Sequence, residues 1–283
     1  MAVAHVPVLV EELVACLNIR PDGIYVDGTF GSGGHAKAVL ERLGPKGTLI
    51  ACDRDPQAAG CHHADFAEVG ALLKREGYAR ADGIYVDLGL SSMQLAEAGR
   101  GFSFMKEGPL DMRMDTTKGE TLKQKLSRTN EWELANILQT YGEERSAKKI
   151  ARVIMEKKKK GKLETTRDLA EAVLEVSPQK SGPWRIHPAT RTFQALRIWV
   201  NEELENLQQF LSQAPHLLNA GGRLCVIAYH SLEDRMVKRA FRRLAKEEEG
   251  FALITKKPIR PSPAEIQRNP RARSARLRCL TKN

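Results

Sequence analysis

The stretch Gly23-Ile24-Tyr25-Val26-Asp27-Gly28-Thr29-Phe30-Gly31-Ser32-Gly33-Gly34 decides the fold. Its apolar half reads as a buried strand, and its glycines as a tight turn. Downstream, Ala36, Val39, Leu40 and Leu43 recur at helical spacing between His35 and Leu43. Gly44-Pro45-Lys46-Gly47 then turns the chain into a second apolar run, Thr48-Leu49-Ile50-Ala51-Cys52, which ends at Asp53. Strand, glycine turn, helix and strand make a βαβ unit. The expected fold class is therefore α/β, with a doubly wound, mostly parallel sheet.

Two more strands fit this pattern. Gly83-Ile84-Tyr85-Val86 ends at Asp87, and Arg223–Tyr229 ends at His230. Weaker strand signals lie around Ala252–Thr255 and Ala275–Leu280. Between the strands, residues 105–190 are charged and helical in pattern, which predicts a helical insert. The sheet domain is then expected to comprise residues 1–104 and 191–283. A single long helix is expected through Phe193, Leu196, Val200, Leu204, Leu207 and Leu211.

Composition narrows the class. With 42% hydrophobic residues, the 283-residue chain can bury a sizeable core. No stretch approaches the roughly 20 apolar residues that a membrane helix needs. Met1–Pro7 lacks the basic region and apolar run of a signal peptide, so a cytoplasmic location without membrane partners is expected. Five dispersed cysteines without a CxxC pair point to reduced thiols. Cys61-His62-His63 with Asp65 offers ligand atoms, but adjacent ligands are a poor zinc spacing, and no metal is expected.

The net charge of +10 is concentrated. From Arg235 to Asn283 there are 15 Lys/Arg against 4 Asp/Glu, a net of +11, which leaves the remainder near −1. A neutral body with a basic end is an electrostatic footprint for a polyanion; a solubilising tail is the alternative. Lys157-Lys158-Lys159-Lys160 with Lys162 adds a second basic spot.

In open α/β sheets, ligands bind beyond the carboxyl ends of the strands. Here those ends carry Asp27, Asp53, Asp87 and His230. Gly31-Ser32-Gly33-Gly34-His35-Ala36 fits the dinucleotide pattern G-x-G-x-x-G/A, with Asp53 placed to hold ribose hydroxyls. Asp27, however, would repel a pyrophosphate, and it suits a cofactor with a cationic amino group and a sulfonium. S-adenosylmethionine is thus favoured over a nicotinamide dinucleotide, and a nicotinamide oxidoreductase remains the competing reading.

Several blocks carry a more specific likeness. They include His5-Val-Pro-Val-Leu9, Pro21–His35, Asp53-Arg-Asp-Pro-Gln57, Asp87-Leu-Gly-Leu-Ser-Ser92, Arg100-Gly-Phe-Ser-Phe104 and Gly108–Asp115. Tyr141–Arg145, His187–Asn201, His230–Arg235 and Asn269–Ser274 continue the series. In this order they resemble the RsmH (MraW) family. The resemblance implies N4-methylation of a cytidine in the decoding region of small-subunit (16S) ribosomal RNA, with S-adenosylmethionine as cofactor. It implies small ribosomal subunit rRNA as partner, within the assembled subunit; whether the chain is a monomer or a homodimer is left open by the sequence. A silent RNA-binding or assembly factor is the other class.

Carried over by motif, the cofactor contacts are Gly33, Gly34, His35, Asp53, Asp87 and Gln94, joined by Asp27. Phe66 is similar to the family's aromatic near the adenine. Asp87, Ser92 and His230 are the implied catalytic residues; His230 acts as a base or only orients the cytosine. Ser91, Arg191, Ser231, Arg271 and Arg273 are expected substrate contacts from their place at the strand ends and in the basic segment, and the helical insert is the expected RNA-recognition element. The sequence departs from the family between Asp53 and Asp87, which is shorter by on the order of a dozen residues, about one helix. A stunted helix after Asp53 and a short strand near Cys61–His63 are therefore expected. Met93 stands where relatives usually carry proline.

Overall fold

A computed structural model describes residues 7–178 and 187–283. The start of the His5 block lies outside the described residues. In chain order the elements are α1 (Val10–Leu17), β1 (Ile24–Asp27), α2 (Gly34–Leu40), β2 (Thr48–Asp53), β3 (His62–His63), α3 (Val69–Arg75) and β4 (Ala81–Asp87). Then come α4 (Ser92–Ala96), α5 (Leu122–Arg128), α6 (Glu131–Gly142), α7 (Ala147–Lys159), α8 (Thr166–Val176), α9 (Ala189–Asn201) and α10 (Glu203–Gln213). The last are β5 (Leu218–Ala228), α11 (Ser231–Glu247), β6 (Phe251–Leu253), α12 (Pro263–Arg268) and β7 (Arg276–Lys282). They form two compact units, Met1–Gly89 with Leu204–Asn283, and Leu90–Glu203.

The first unit is built on a seven-stranded sheet in the order β3-β2-β1-β4-β5-β7-β6. Its first five strands are parallel, and β7 runs antiparallel to both β5 and β6. The α/β class with a mostly parallel sheet is as expected. Because successive side chains of a strand face opposite sides, each strand feeds two cores. Val26, Ile84, Val86, Leu224 and Val226 join α3, α10 and α11 on one face. Tyr25, Tyr85, Cys225 and Ile227 join α1 and α2 on the other. The strand order reverses at β1, between β2 and β4, which is where such sheets bind ligands.

The shortened segment costs the sheet a helix. Residues 54–61 form only turns, and β3 pairs with β2 through just Cys52↔His62 and Asp53↔His63. Parallel strands ordinarily need a crossover of about a dozen residues or more; with fewer, the edge strand stays vestigial. The helix expected after Asp53 is absent rather than stunted. The basic C-terminal segment is also no tail, since β7 inserts between β5 and β6.

The second unit is helical and has its own core, drawn from α5–α9 and the loop before them. It is wider than the 105–190 expected from composition: Phe102, Phe193, Leu196 and Val200 all enter its core. Asn201 is buried and pins the loop of the Gly108–Asp115 block, donating to the Met112 carbonyl and accepting from the Met114 N–H, each at 2.7 Å. Part of the lysine run is used internally. Lys158 donates to the Leu126 carbonyl at the end of α5 (2.6 Å), and Lys157 pairs with Glu175 (2.7 Å).

The expected long helix is two helices. Glu202 adopts φ 52°, in the left-handed region, and separates α9 from α10. Phe193, Leu196 and Val200 serve the helical core, whereas Leu207, Phe210 and Leu211 serve the sheet core. The apolar period continues through the break, so the pattern alone could not reveal it. Among the described residues, no helix is long and apolar enough to cross a membrane.

Candidate active site

Three carboxylates end neighbouring parallel strands of the first unit: Asp27 on β1, Asp53 on β2 and Asp87 on β4. Asp27 is almost fully buried. Its Oδ1 accepts the Thr29 N–H at 3.0 Å. Its Oδ2 is buried without a well-formed hydrogen bond; the Tyr85 hydroxyl faces the carboxyl yet lacks a well-formed bond itself. Burial pushes the Asp27 carboxyl up to about 6, against the Thr29 N–H and His35, which favour its charged form.

Asp53 turns back onto the glycine loop. Its Oδ2 accepts the Gly31 N–H at 2.7 Å and its Oδ1 the Asp55 N–H at 2.8 Å. Burial raises its carboxyl despite these two donors. Gly33 ends the loop at φ 79° as the cap of α2, a conformation that a Cβ would strain. Gly34 and His35 open α2. The His35 ring is buried, with Nε2 donating to the Val8 carbonyl (2.8 Å) and Nδ1 facing Asp87 Oδ2 at 3.9 Å.

Asp87 is positioned by groups from three places in the chain. Its N–H donates to Thr29 Oγ1 (2.6 Å), and its Oδ1 accepts the Gly89 N–H (3.3 Å). The Tyr229 hydroxyl, at the end of β5, hydrogen-bonds to it. Burial first, and then the Asp87 charge, raise the Tyr229 phenol well above its usual range. Gly89 makes room for that ring: a Cβ there would lie 2.7 Å from Tyr229 Cε2. Sequence reasoning missed Thr29 and Tyr229. The only available signal was their placement, one in the glycine turn and one at a strand end.

Other expected site residues have local duties. Phe66 is buried in the sheet core, edge-on to Phe210 with centroids 5.4 Å apart, which leaves its ring little surface for a ligand. His230 caps α11. Its Nδ1 faces the Glu233 N–H at 3.4 Å and its Nε2 lies 3.0 Å from Glu233 Oε1. Glu233 Oε2 in turn accepts the Tyr229 and His230 N–H groups (2.8 and 3.2 Å). Both ring nitrogens lie beside Glu233, and Nε2 is buried there without a well-formed hydrogen bond. Ser231 opens α11, half-buried.

In the helical unit, Ser91 caps α4 in a reciprocal pair with Gln94. The Gln94 N–H donates to Ser91 Oγ (3.2 Å), and the Ser91 N–H to Gln94 Oε1 (3.0 Å). Ser92 is the first residue of α4. Arg191 is exposed and donates to the Glu143 carbonyl (3.2 Å).

The basic segment divides in two. Arg271 and Arg273 are exposed. Arg276 and Arg278, which share a face of β7, both donate to Asp234 of α11, at 3.2 and 2.7 Å. They pair with the body of the protein through that carboxylate. Burial would raise the Asp234 carboxyl, but Arg278 and Arg276 together hold it below its usual range. The Cys61, His62, His63 and Asp65 side chains disperse to the Ala58 carbonyl, Glu76, the Arg54 carbonyl and the Ala67 N–H respectively.

Residues 2–283 match the family model described as the MraW methylase family. Among solved structures, the chain is similar to TrmN from Thermus thermophilus at 15% identity and a TM-score of 0.42. That likeness covers 97% of this chain and 48% of TrmN, so the chain spans about half of TrmN's length. It is also similar to an rRNA methylase from Streptococcus thermophilus, at 10% identity over 99% of each chain and a TM-score of 0.43. A third likeness is to a SAM-dependent O-methyltransferase from Thermotoga maritima, at 8% identity over 96% of this chain and 64% of that one, with a TM-score of 0.38.

Proposed function

The chain belongs to the MraW methylase family, and we propose that it methylates N4 of a cytidine in the decoding region of 16S ribosomal RNA, with S-adenosylmethionine as its cofactor. The observation that carries the cofactor reading is the orphaned Oδ2 of Asp27 beside the glycine turn. A buried carboxylate oxygen without a well-formed hydrogen bond is costly, and a cationic amino group beside it supplies both a donor and a countercharge. A pyrophosphate would instead set anion against anion. The residues present therefore fit S-adenosylmethionine, which supplies an electrophilic methyl group.

Gly33 and Gly34 let backbone approach the cofactor, and Asp53 offers its remaining lone pairs to ribose hydroxyls. The cytosine amine is a poor nucleophile because its lone pair is delocalised into the ring. It must be oriented and dried rather than simply brought close. Asp87, fixed by Tyr229 and the Gly89 N–H, is suited to accept a hydrogen bond from the amino protons. His230 serves the base as a general base or only as the group that orients it. Ser231, Arg191, Arg271 and Arg273 contact the RNA, and the helical unit recognises the subunit's shape. The setting is the cytoplasm.

Mass spectrometry of small-subunit rRNA nucleosides, with and without the protein, tests this reading. N4-methylcytidine should appear only with the active protein. A different methylated nucleoside would overturn the N4 assignment, and cofactor binding with no new nucleoside would indicate a silent assembly factor.

A further inference from the structure

On the sheet unit, α10 and α11 leave between them an open groove of about 510 Å³. Leu204, Leu211, Leu232 and Met236 supply an apolar floor, and Arg239 and Arg243 stand along it. The two arginines are exposed, one helical turn apart, and make no ion pair among the described residues. Their separation along the axis is about 6 Å. The acidic residues of α11's first turn do not neutralise them: Glu233 is turned to His230, and Asp234 is held by Arg276 and Arg278. The helix as a whole carries six Lys/Arg against three Asp/Glu.

The groove also has a direction. Leu232 lies two residues beyond His230, so one end of the groove starts where β5 delivers its catalytic-edge residues. We propose that this groove holds a single-stranded RNA segment flanking the target nucleotide, with Arg239 and Arg243 on successive phosphates and bases against Leu232 and Met236. An apolar floor beside guanidinium groups suits unstacked bases, which present flat faces to it while their phosphates stay charged. An acidic protein segment would match the charge but would make no particular use of flat apolar surface. The proposal rests on the rRNA reading above and adds the path of the strand.

The test uses the full chain, a short fluorescent oligouridylate and a salt series. Each phosphate contact removed from a single strand lowers the slope of log affinity against log salt by about 0.7, so Arg239→Gln with Arg243→Gln should lower it by about 1.4. The Arg239→Lys, Arg243→Lys pair should restore the slope, and S-adenosylmethionine affinity should stay within twofold throughout. With 4-thiouridine in the oligomer, crosslinks should map to peptides containing Leu232 or Met236. An unchanged slope in the glutamine pair overturns the proposal, as does a change in oligomeric state without a change in slope. If the slope falls as expected but wild-type protein leaves rRNA unmethylated, only the catalytic reading fails.

Discussion

The carboxylate of Asp53 receives the N–H of Gly31 at 2.7 Å, so the residue that ends β2 also holds the glycine turn that follows β1. A residue expected to bind only ribose hydroxyls therefore shapes the loop as well. Asp53→Ala should weaken S-adenosylmethionine binding through both effects, by about 3–6 kcal/mol, given roughly 1.5–3 kcal/mol for each of two hydrogen bonds to a charged group. Asp53→Asn should lose less, because its carbonyl can still accept the Gly31 N–H. Calorimetry giving equal affinities for wild type and Asp53→Ala would remove Asp53 from the site.

Asp27 predicts a pH dependence. Its carboxyl sits at about 6 in the folded protein, above the roughly 3.9 of an unfolded aspartate. The folded state therefore binds this proton more tightly. The associated stability is present below about pH 4 and is lost as pH rises through 6, amounting to about 3 kcal/mol. Asp27→Asn should accordingly melt higher than wild type at pH 7.5 in the absence of cofactor, and the difference should vanish near pH 4. Cofactor affinity should move the other way: in wild type it should fall as pH drops through 6, and Asp27→Asn should be weaker at pH 7.5 with little pH dependence. A wild-type affinity that is flat between pH 5 and 7.5 would count against a cationic group beside Asp27.

Tyr229 is the residue to test for positioning Asp87. Tyr229→Phe removes one hydrogen bond from a carboxylate and should lower kcat about tenfold, with the S-adenosylmethionine Kd nearly unchanged. Gly89→Ala should lower kcat further, because its Cβ would occupy the space of the Tyr229 ring. Equal kcat for Tyr229→Phe and wild type would leave that hydroxyl without a role in turnover.

Arginines of the C-terminal segment should separate into two classes. Asp234→Ala strands the buried Arg278 and the half-buried Arg276, and should destabilise the fold by about 3 kcal/mol in a denaturant titration. Replacing Arg271 and Arg273 with Gln should leave stability unchanged and lower the salt slope of RNA binding by roughly 0.7–0.9 per contact. A destabilised Arg271/Arg273 variant, or an unchanged slope, would contradict this division.

Each unit holds its own hydrophobic core, so the sheet unit should fold without the other. Replacing Leu90–Glu203 with a Gly/Ser linker should leave a cooperative melt and measurable cofactor binding, while rRNA methylation is abolished. Methylation that survives the replacement would remove the helical unit from substrate selection.

Four strands, the glycine turn and the carboxylates at their ends were legible in the sequence because they rest on local rules. An apolar run needs only its own period to read as a strand, and Asp27, Asp53 and Asp87 follow directly from where those runs stop. The shortening after Asp53 was also visible, although it suggested a stunted helix where the chain forms only turns. By itself, then, the sequence determined the α/β class, the four main strands and which carboxylates end them.

What the tertiary structure decided are the partners that lie far apart in the chain. The break at Glu202 follows from which core each half of the apolar stripe enters, and a stripe has the same period in either core. Arg276 and Arg278 look identical in composition to Arg271 and Arg273, yet β7 turns the first pair onto Asp234, 42 and 44 residues away in sequence. Tyr229 meets Asp87 only because β4 and β5 are paired in parallel, ending side by side at Asp87↔Ile227. Charge and periodicity are properties of the chain, whereas a hydrogen-bond partner is a property of the packing. The same arginine can therefore serve an RNA or a buried aspartate, and only its neighbours in space determine which.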